Sequence, residues 1–251
     1  MIKSNLKNYN SFFTLEETVE FAEFLGIMLG DGCCHSNGYQ ITICCGTIDG
    51  TYITKHIPLL IKRLFSKKVR FRKIAREGFD CLFASKEIYE LLKKVGFTSP
   101  KITCKIPTIF FDDNNLLRSC LRGLFDTDGG LHRHHRKSAQ LKFTNKSLFI
   151  IDSLELALIQ LGFKPARTID HKEKNTRALY LFSNDVKKYF EEIGSNNPKN
   201  QLKFKNWIKT GIVPLNKDIA HKIRLTRIAQ EKLLGKSLDT IKIVGFGAVN
   251  N

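Results

Sequence analysis

FLGIMLGDG, residues 24–32, and LRGLFDTDG, residues 121–129, decide the reading of this chain. Each is an apolar run of helical character that ends in an Asp-Gly pair, Asp31-Gly32 and Asp128-Gly129. An aspartate in that place sits at the negative end of the helix dipole, where an anion is disfavoured. One such ending reads as a C-terminal turn. Two of them, each closing a helix with small residues on one face, ask for another explanation.

Gly26 and Gly30 lie four residues apart and share a helix face, as do Gly123 and Thr127. Small residues at that spacing let two helices approach backbone to backbone. Packed parallel about a pseudo-twofold axis, the pair brings Asp31 and Asp128 together at its C-terminal end. Two carboxylates about 4 Å apart repel by about 4 kcal/mol at an effective dielectric of about 20. A divalent cation reverses that sign. The carboxylates of Asp31 and Asp128 and the freed carbonyls of Gly30 and Thr127 are hard oxygen ligands suited to Mg2+, with water and substrate phosphate completing its shell. Such a centre hydrolyses phosphodiesters by activating water and stabilising the attacking and leaving oxygens.

The two helices open two copies of one plan, close to a hundred residues each. Strands are expected at 38–44 and 138–144, followed by helices over 51–65 and 147–162. Two more strands and a closing helix, 86–97 and 184–194, complete each copy. If the segments after each Asp-Gly, 33–37 and 130–137, are extended, both copies read α-β-β-α-β-β-α, an α+β class. The expected division is residues 1–113, residues 114–214 and a basic tail from 215 to 251 with a helix at about 218–234 packed outside the core. Asp112-Asp113-Asn114 supplies N-cap chemistry for the second key helix.

The formal charge of +17 points to a polyanion such as DNA or RNA. No apolar run approaches the roughly 18 to 20 residues of a membrane span, and MIKSNLKNYNSFF lacks a signal core and cleavage site. The expectation is an intracellular, soluble protein, of cytoplasm or organelle matrix, with no membrane partner. All seven cysteines lie in the first half, and none forms a C-x-x-C pair. An odd count without a signal sequence argues for reduced thiols. Adjacent cysteines chelate one ion poorly, so Cys33, Cys34, Cys44 and Cys45 read as small apolar packing rather than as a zinc site.

The two segments resemble the LAGLIDADG motif of homing endonucleases. LRGLFDTDG is close to the consensus; FLGIMLGDG is looser, with Leu29 where the second copy keeps an acid as Asp126. The last acid of the motif, the family's metal ligand, stands in both copies as Asp31 and Asp128. The resemblance spans about residues 15–210 and implies the monomeric two-motif type. That type is a saddle of two pseudo-symmetric αββαββα halves whose sheets straddle double-stranded DNA. It cuts both strands of a long target, pseudo-palindromic or asymmetric, leaving short 3′ overhangs. It implies Mg2+ as cofactor, with Mn2+ or Ca2+ able to substitute in the site. Relatives of the fold act as RNA-splicing maturases, with intron RNA as partner, or as transcription regulators. Regulators of that kind tend to lose the motif acids, which this chain keeps.

Period-two alternation assigns the DNA-facing side chains. In 38–44, Tyr39, Ile41 and Ile43 are expected on the core, and Gln40, Thr42 and Cys44 on the open face. In 138–144 the exposed set is Gln140, Lys142 and Thr144. The next strand adds Arg70 and Arg72 against Val69 and Phe71; the second copy adds Arg167, Lys172, Lys174 and Arg177. HRHHRK, 132–137, is read as a basic arm that brings Arg133 and His135 to DNA. Gln suits adenine, Lys suits guanine, and Thr serves several bases in the major groove. The resemblance further implies a polar residue positioning water after the second strand of each half. Asn145 fits that place, whereas the first copy has Cys45-Gly46. It also implies a lysine after the last helix of a half: Lys101 or Lys105 in the first copy, Lys199 in the second. A phosphate-facing ammonium there would stabilise developing charge.

Overall fold

The structure is a computed structural model that describes residues 15–74, 78–135, 138–169, 176–182 and 184–220. The first repeat runs α1 (Leu15–Asp31), β1 (Gly32–His35), β2 (Gln40–Gly46), α2 (Ile57–Phe65), β3 (Arg70–Ile74), β4 (Gly78–Ala84) and α3 (Lys86–Lys94). The second runs α4 (Asn114–Asp128), β5 (Gly129–Arg133), β6 (Ala139–Asn145), α5 (Leu148–Gln160), β7 (Ala166–Ile169), β8 (Arg177–Phe182) and α6 (Asn184–Glu192). The order is αββαββα twice, in the α+β class. Both sheets are antiparallel, with orders β1-β2-β4-β3 and β5-β6-β8-β7.

Local chemistry sets the boundaries. Asp113 caps α4 through the Asn115 amide at 2.7 Å. Ser85 and Ser147 cap α3 and α5 in the same way, each accepting from the amide three residues on. The helix expected from residue 51 opens as a π-turn, Tyr52–His56, before α2.

A further helix, α7 (Pro198–Thr210), follows the second repeat. Asn197 caps it, Pro198 occupies its first turn, and Gly211 ends it at a φ of 71°. The buried Lys203 ammonium fastens α7 to the second sheet by donating to the Leu131 carbonyl at 3.1 Å. Residues 216–220 begin another helix, with Ile219 fully buried; the rest of the expected tail helix lies outside the described residues. No helix among the described residues is long and apolar enough to cross a membrane.

α1 and α4 form the axis of the molecule and pack along their length. A Cβ on Gly26 would fall on the Cys120 carbonyl of α4, and one on Gly123 would fall on the Glu23 carbonyl of α1. A Cβ on Gly30 would collide with the Thr127 hydroxyl. The small residues are thus where the backbones meet. Apolar faces of both sheets and the flanking helices close around this pair, with Ile41, Ile43, Leu141, Phe143, Leu179 and Leu181 all buried.

Candidate metal and nucleic-acid site

Asp31 and Asp128 end the two axial helices, and the chain turns directly from each into a strand. Burial holds the Asp31 carboxyl above the usual carboxylate range, at about 7, and repulsion from Asp128 adds to it. Burial likewise raises Asp128 to about 6, against the pull of Lys101 and of a hydrogen bond from Asn145. The two acids therefore feel each other. Asn145 Nδ2 donates to Asp128 Oδ2 at 2.6 Å, and Asn145 Oδ1 accepts from the Ser147 amide at 2.8 Å, which fixes the amide's orientation. At the matching place of the first repeat, the Cys45 thiol reaches Asp31 Oδ2 only at 3.9 Å.

The Lys101 ammonium donates to the Gly30 carbonyl, so one of the two expected backbone ligands already faces a cation. The Thr127 hydroxyl bonds back to its own helix, at 3.0 Å to Gly123 and 3.1 Å to Leu124. Lys199 pairs with Asp49 at 2.7 Å; Lys105 is exposed. Among the described residues no group of three or more His, Cys, Asp or Glu side chains could hold a metal. Two charge-starved carboxylates beside helix-end carbonyls still fit a hard cation of the Mg2+ kind, which takes one or two carboxylates and leaves its other positions to water and phosphate.

Several residues at this end carry no local sequence signal of their role. Asp49, in the turn after β2, adds a third acid that raises Asp31 further. Asn197 donates to Asp49 at 2.6 Å and to the Asp126 carbonyl at 3.1 Å. Asp126, fully buried, accepts from the Ser195 hydroxyl and from the Asn196 and Asn197 amides at 2.6 and 3.1 Å. Burial nevertheless lifts it to about 7. Above these, Glu23 of α1 accepts from Arg122 of α4 at 2.8 Å, and bonds His56 and Asn196, both at 2.7 Å. Burial acts to raise Glu23, but those partners hold it down at about 2.

On the open sheet faces, Gln140, Lys142 and Thr144 are half-buried as their alternation requires, and Lys142 lies 5.9 Å from the Tyr180 ring. Gln40 donates to Thr42 at 3.2 Å. Thr42 itself is only 4% exposed, contrary to expectation, because its register neighbours Cys33 and Leu82 crowd it from both sides. Arg70 and Arg72 are exposed on the edge strand, but so is Phe71, at 45%, because the core does not extend under that edge. Tyr39 precedes β2 in a left-handed turn and packs on Tyr89 instead of entering the core.

Three arginines face the other way. Register partners share a sheet face. Arg167 pairs with the buried Leu179, so it turns to the helix side and binds Asp152 and Glu155 of α5 at 2.7 and 3.0 Å. Arg133 pairs with the buried Ala139 and donates to the Val213 carbonyl at 3.3 Å. Arg177 is in register with Asn145, on the face opposite Thr144. His135 is exposed in the β5–β6 turn beside His134. Lys172 and Lys174 lie outside the described residues.

The family model of the LAGLIDADG-like domain matches residues 115–194, which span the second repeat from α4 to α6. Among curated proteins, the chain is 27% identical over 197 residues to the Replication factor C small subunit of Methanocaldococcus jannaschii. That match covers 76% of this chain but only 10% of the relative's length. Among solved structures, the homing endonuclease I-DmoI in complex with DNA and Mn superposes with a TM-score of 0.55 at 17% identity, covering 71% of this chain and 97% of that one. Full-length DUF199/WhiA from Thermatoga maritima gives 0.53 at 17% identity, over 88% and 70% of the two chains. At such identities the likeness is one of fold.

Proposed function

We propose that this chain, a two-repeat member of the LAGLIDADG family, is a site-specific double-strand DNA endonuclease that works as a monomer with a divalent metal. The observation that carries the reading is the pair of half-buried acids, Asp31 and Asp128, at the adjoining ends of two helices packed through glycine. Asp31 and Asp128 would hold the metal, with helix-end carbonyls beside them. When bound, it would supply Lewis-acid stabilisation of the phosphate and a more acidic water. Asn145 keeps Asp128 oriented and ionised by donating to it. Lys101, at the Gly30 carbonyl, places an ammonium where a phosphate would approach. The strand faces carrying Gln40, Arg70, Arg72, Gln140, Lys142 and Thr144 would bind the duplex, aided by the net charge of +17.

Both motif acids are present, which favours cutting over binding alone. The substrate would be a long site whose cutting leaves short 3′ overhangs, with the empty insertion site of the chain's own gene as the first candidate. The test incubates purified protein and Mg2+ with a duplex carrying that empty insertion site. A clean double-strand cut is expected from the wild type. Asp31→Asn and Asp128→Asn should each abolish cutting while retaining duplex affinity. Cutting at the normal rate by either variant refutes the metal assignment. Tight binding to intron RNA with no duplex cut would instead favour a splicing role.

A further inference from the structure

We propose that Asp80 positions Arg72 as a guanine reader on the open face of the first sheet, so that one base pair of the target is set as G·C by an aspartate the DNA need not touch. This rests on the reading that the sheet faces bind duplex DNA. Asp80, the third residue of β4, is the register partner of both Arg72 on β3 and Cys44 on β2. All three therefore lie on one face. It is the opposite face from Cys81 and Ile43, which belong to the core.

An acid on an open, strongly basic face ordinarily repels a polyanion. Asp80 is only 2% exposed and is consumed by its neighbours. Its Oδ1 accepts from the Cys44 thiol at 2.9 Å, and its Oδ2 accepts from Arg72 Nε at 3.1 Å and Nη2 at 2.6 Å. The arginine is held by the side edge of its guanidinium, while its side chain remains 61% exposed. The end-on fork, Nη1 with the second hydrogen of Nη2, has no partner among the described residues. That fork is the pair of donors that guanine O6 and N7 accept in the major groove. An unclamped arginine on an edge strand would have to give up its rotamer freedom on binding. This one has already done so, and the low exposure of Asp80 shields the clamp from water. Arg70, two residues away, pairs in register with Leu82 and has no such acid opposite it.

The test partitions a randomised duplex library on the full chain without added metal, so that binding is read without cutting. Wild type should enrich a defined site. Arg72→Lys keeps the charge but loses the fork, and should lose preference at a single G·C pair by about ten- to a hundredfold, with other positions and the salt slope unchanged. Asp80→Asn should lose preference at that same pair. Asp80→Glu keeps the charge but displaces it, should do likewise, and serves if Asp80→Asn does not fold. The inference is overturned if Arg72→Lys keeps the preference. It is also overturned if Arg72→Ala weakens all sequences equally and lowers the salt slope by about one, the mark of a phosphate contact. An Asp80→Asn protein that loses thermal stability but keeps the preference would show a purely structural carboxylate and overturn it too. A wild type that enriches no site defeats the duplex reading itself, whereas variants matching an enriching wild type defeat this inference alone.

Discussion

Asn145 grips Asp128 across 2.6 Å, while Cys45, its counterpart by strand register, stands 3.9 Å from Asp31. The two acids at the helix ends therefore have unequal supports. Residues that orient a metal ligand are worth about 10- to 100-fold in affinity or activity. Asn145→Ala is expected to slow cutting of one strand by about that factor and to accumulate nicked duplex. Cys45→Ala should change little. Strand-resolved time courses measure both, and equal slowing of the two strands by Asn145→Ala would contradict the asymmetry.

The raised acids set a pH dependence. Asp31, Asp126 and Asp128 bind protons more tightly folded than unfolded, their carboxyls lying at about 7, about 7 and about 6 against an ordinary 3.8. The metal-free protein should therefore lose stability as pH rises through the interval between those values. Glu23 acts in the opposite sense: its contribution is present above 4.5 and is lost only as pH falls towards about 2. Mg2+ requires the ionised pair, so the gain in thermal midpoint on adding it should grow with pH across the same interval. A metal-free midpoint that climbs steadily over that interval would contradict this balance.

The helix axis tolerates no added atoms. Gly123→Ala places a methyl on the Glu23 carbonyl, and Gly26→Ala places one on the Cys120 carbonyl. Either should cost about 3 kcal/mol or more, beyond ordinary overpacking, because backbone rather than side chain must move. Gly50→Ala, with nothing within 4 Å of its added Cβ, should stay within about 0.5 kcal/mol of wild type. Urea titration distinguishes them.

Glu23→Gln removes the charge that Arg122 and His56 share across the repeat boundary. Breaking a buried ion pair from one side costs about 3 to 5 kcal/mol. The loss should appear as a lower thermal midpoint, and Glu23→Gln combined with Arg122→Met should recover part of it. A fully additive double variant would show that the two residues are not coupled.

The elements that read clearly from sequence are those with a local signal. The glycines of α1 and α4, the twin Asp-Gly ends and the alternation of β6 each lie within a window of about ten residues, and the αββαββα order follows from them. What eluded the sequence depends on partners far along the chain. Asp126 is an ordinary motif acid until Ser195 and Asn196 close on it, and Asp80 is an ordinary strand residue until Arg72 and Cys44 surround it. Thr42 alternates correctly yet is covered by Leu82, whose place depends on register. Charge is the one local signal Arg167 and Arg133 carry; the sheet parity that turns them to the helix side appears only once their strands are paired. α7 is hard to read from sequence although Asn197-Pro198 and Gly211 bracket it, because its lysine-rich sequence lacks a strong apolar stripe.

Leu29 and Asp126 occupy equivalent places, and only the acid can tether an outgoing chain. In the second repeat that tether brings Asn197 and Lys199 across to Asp49 of the first. A dimer built from two first halves would have no such strap, and one built from two second halves would have no Asp49 to receive it. The pseudo-twofold is thus broken in the wiring as well as in the sequence, and a symmetric pair of either half would lack one side of this seam.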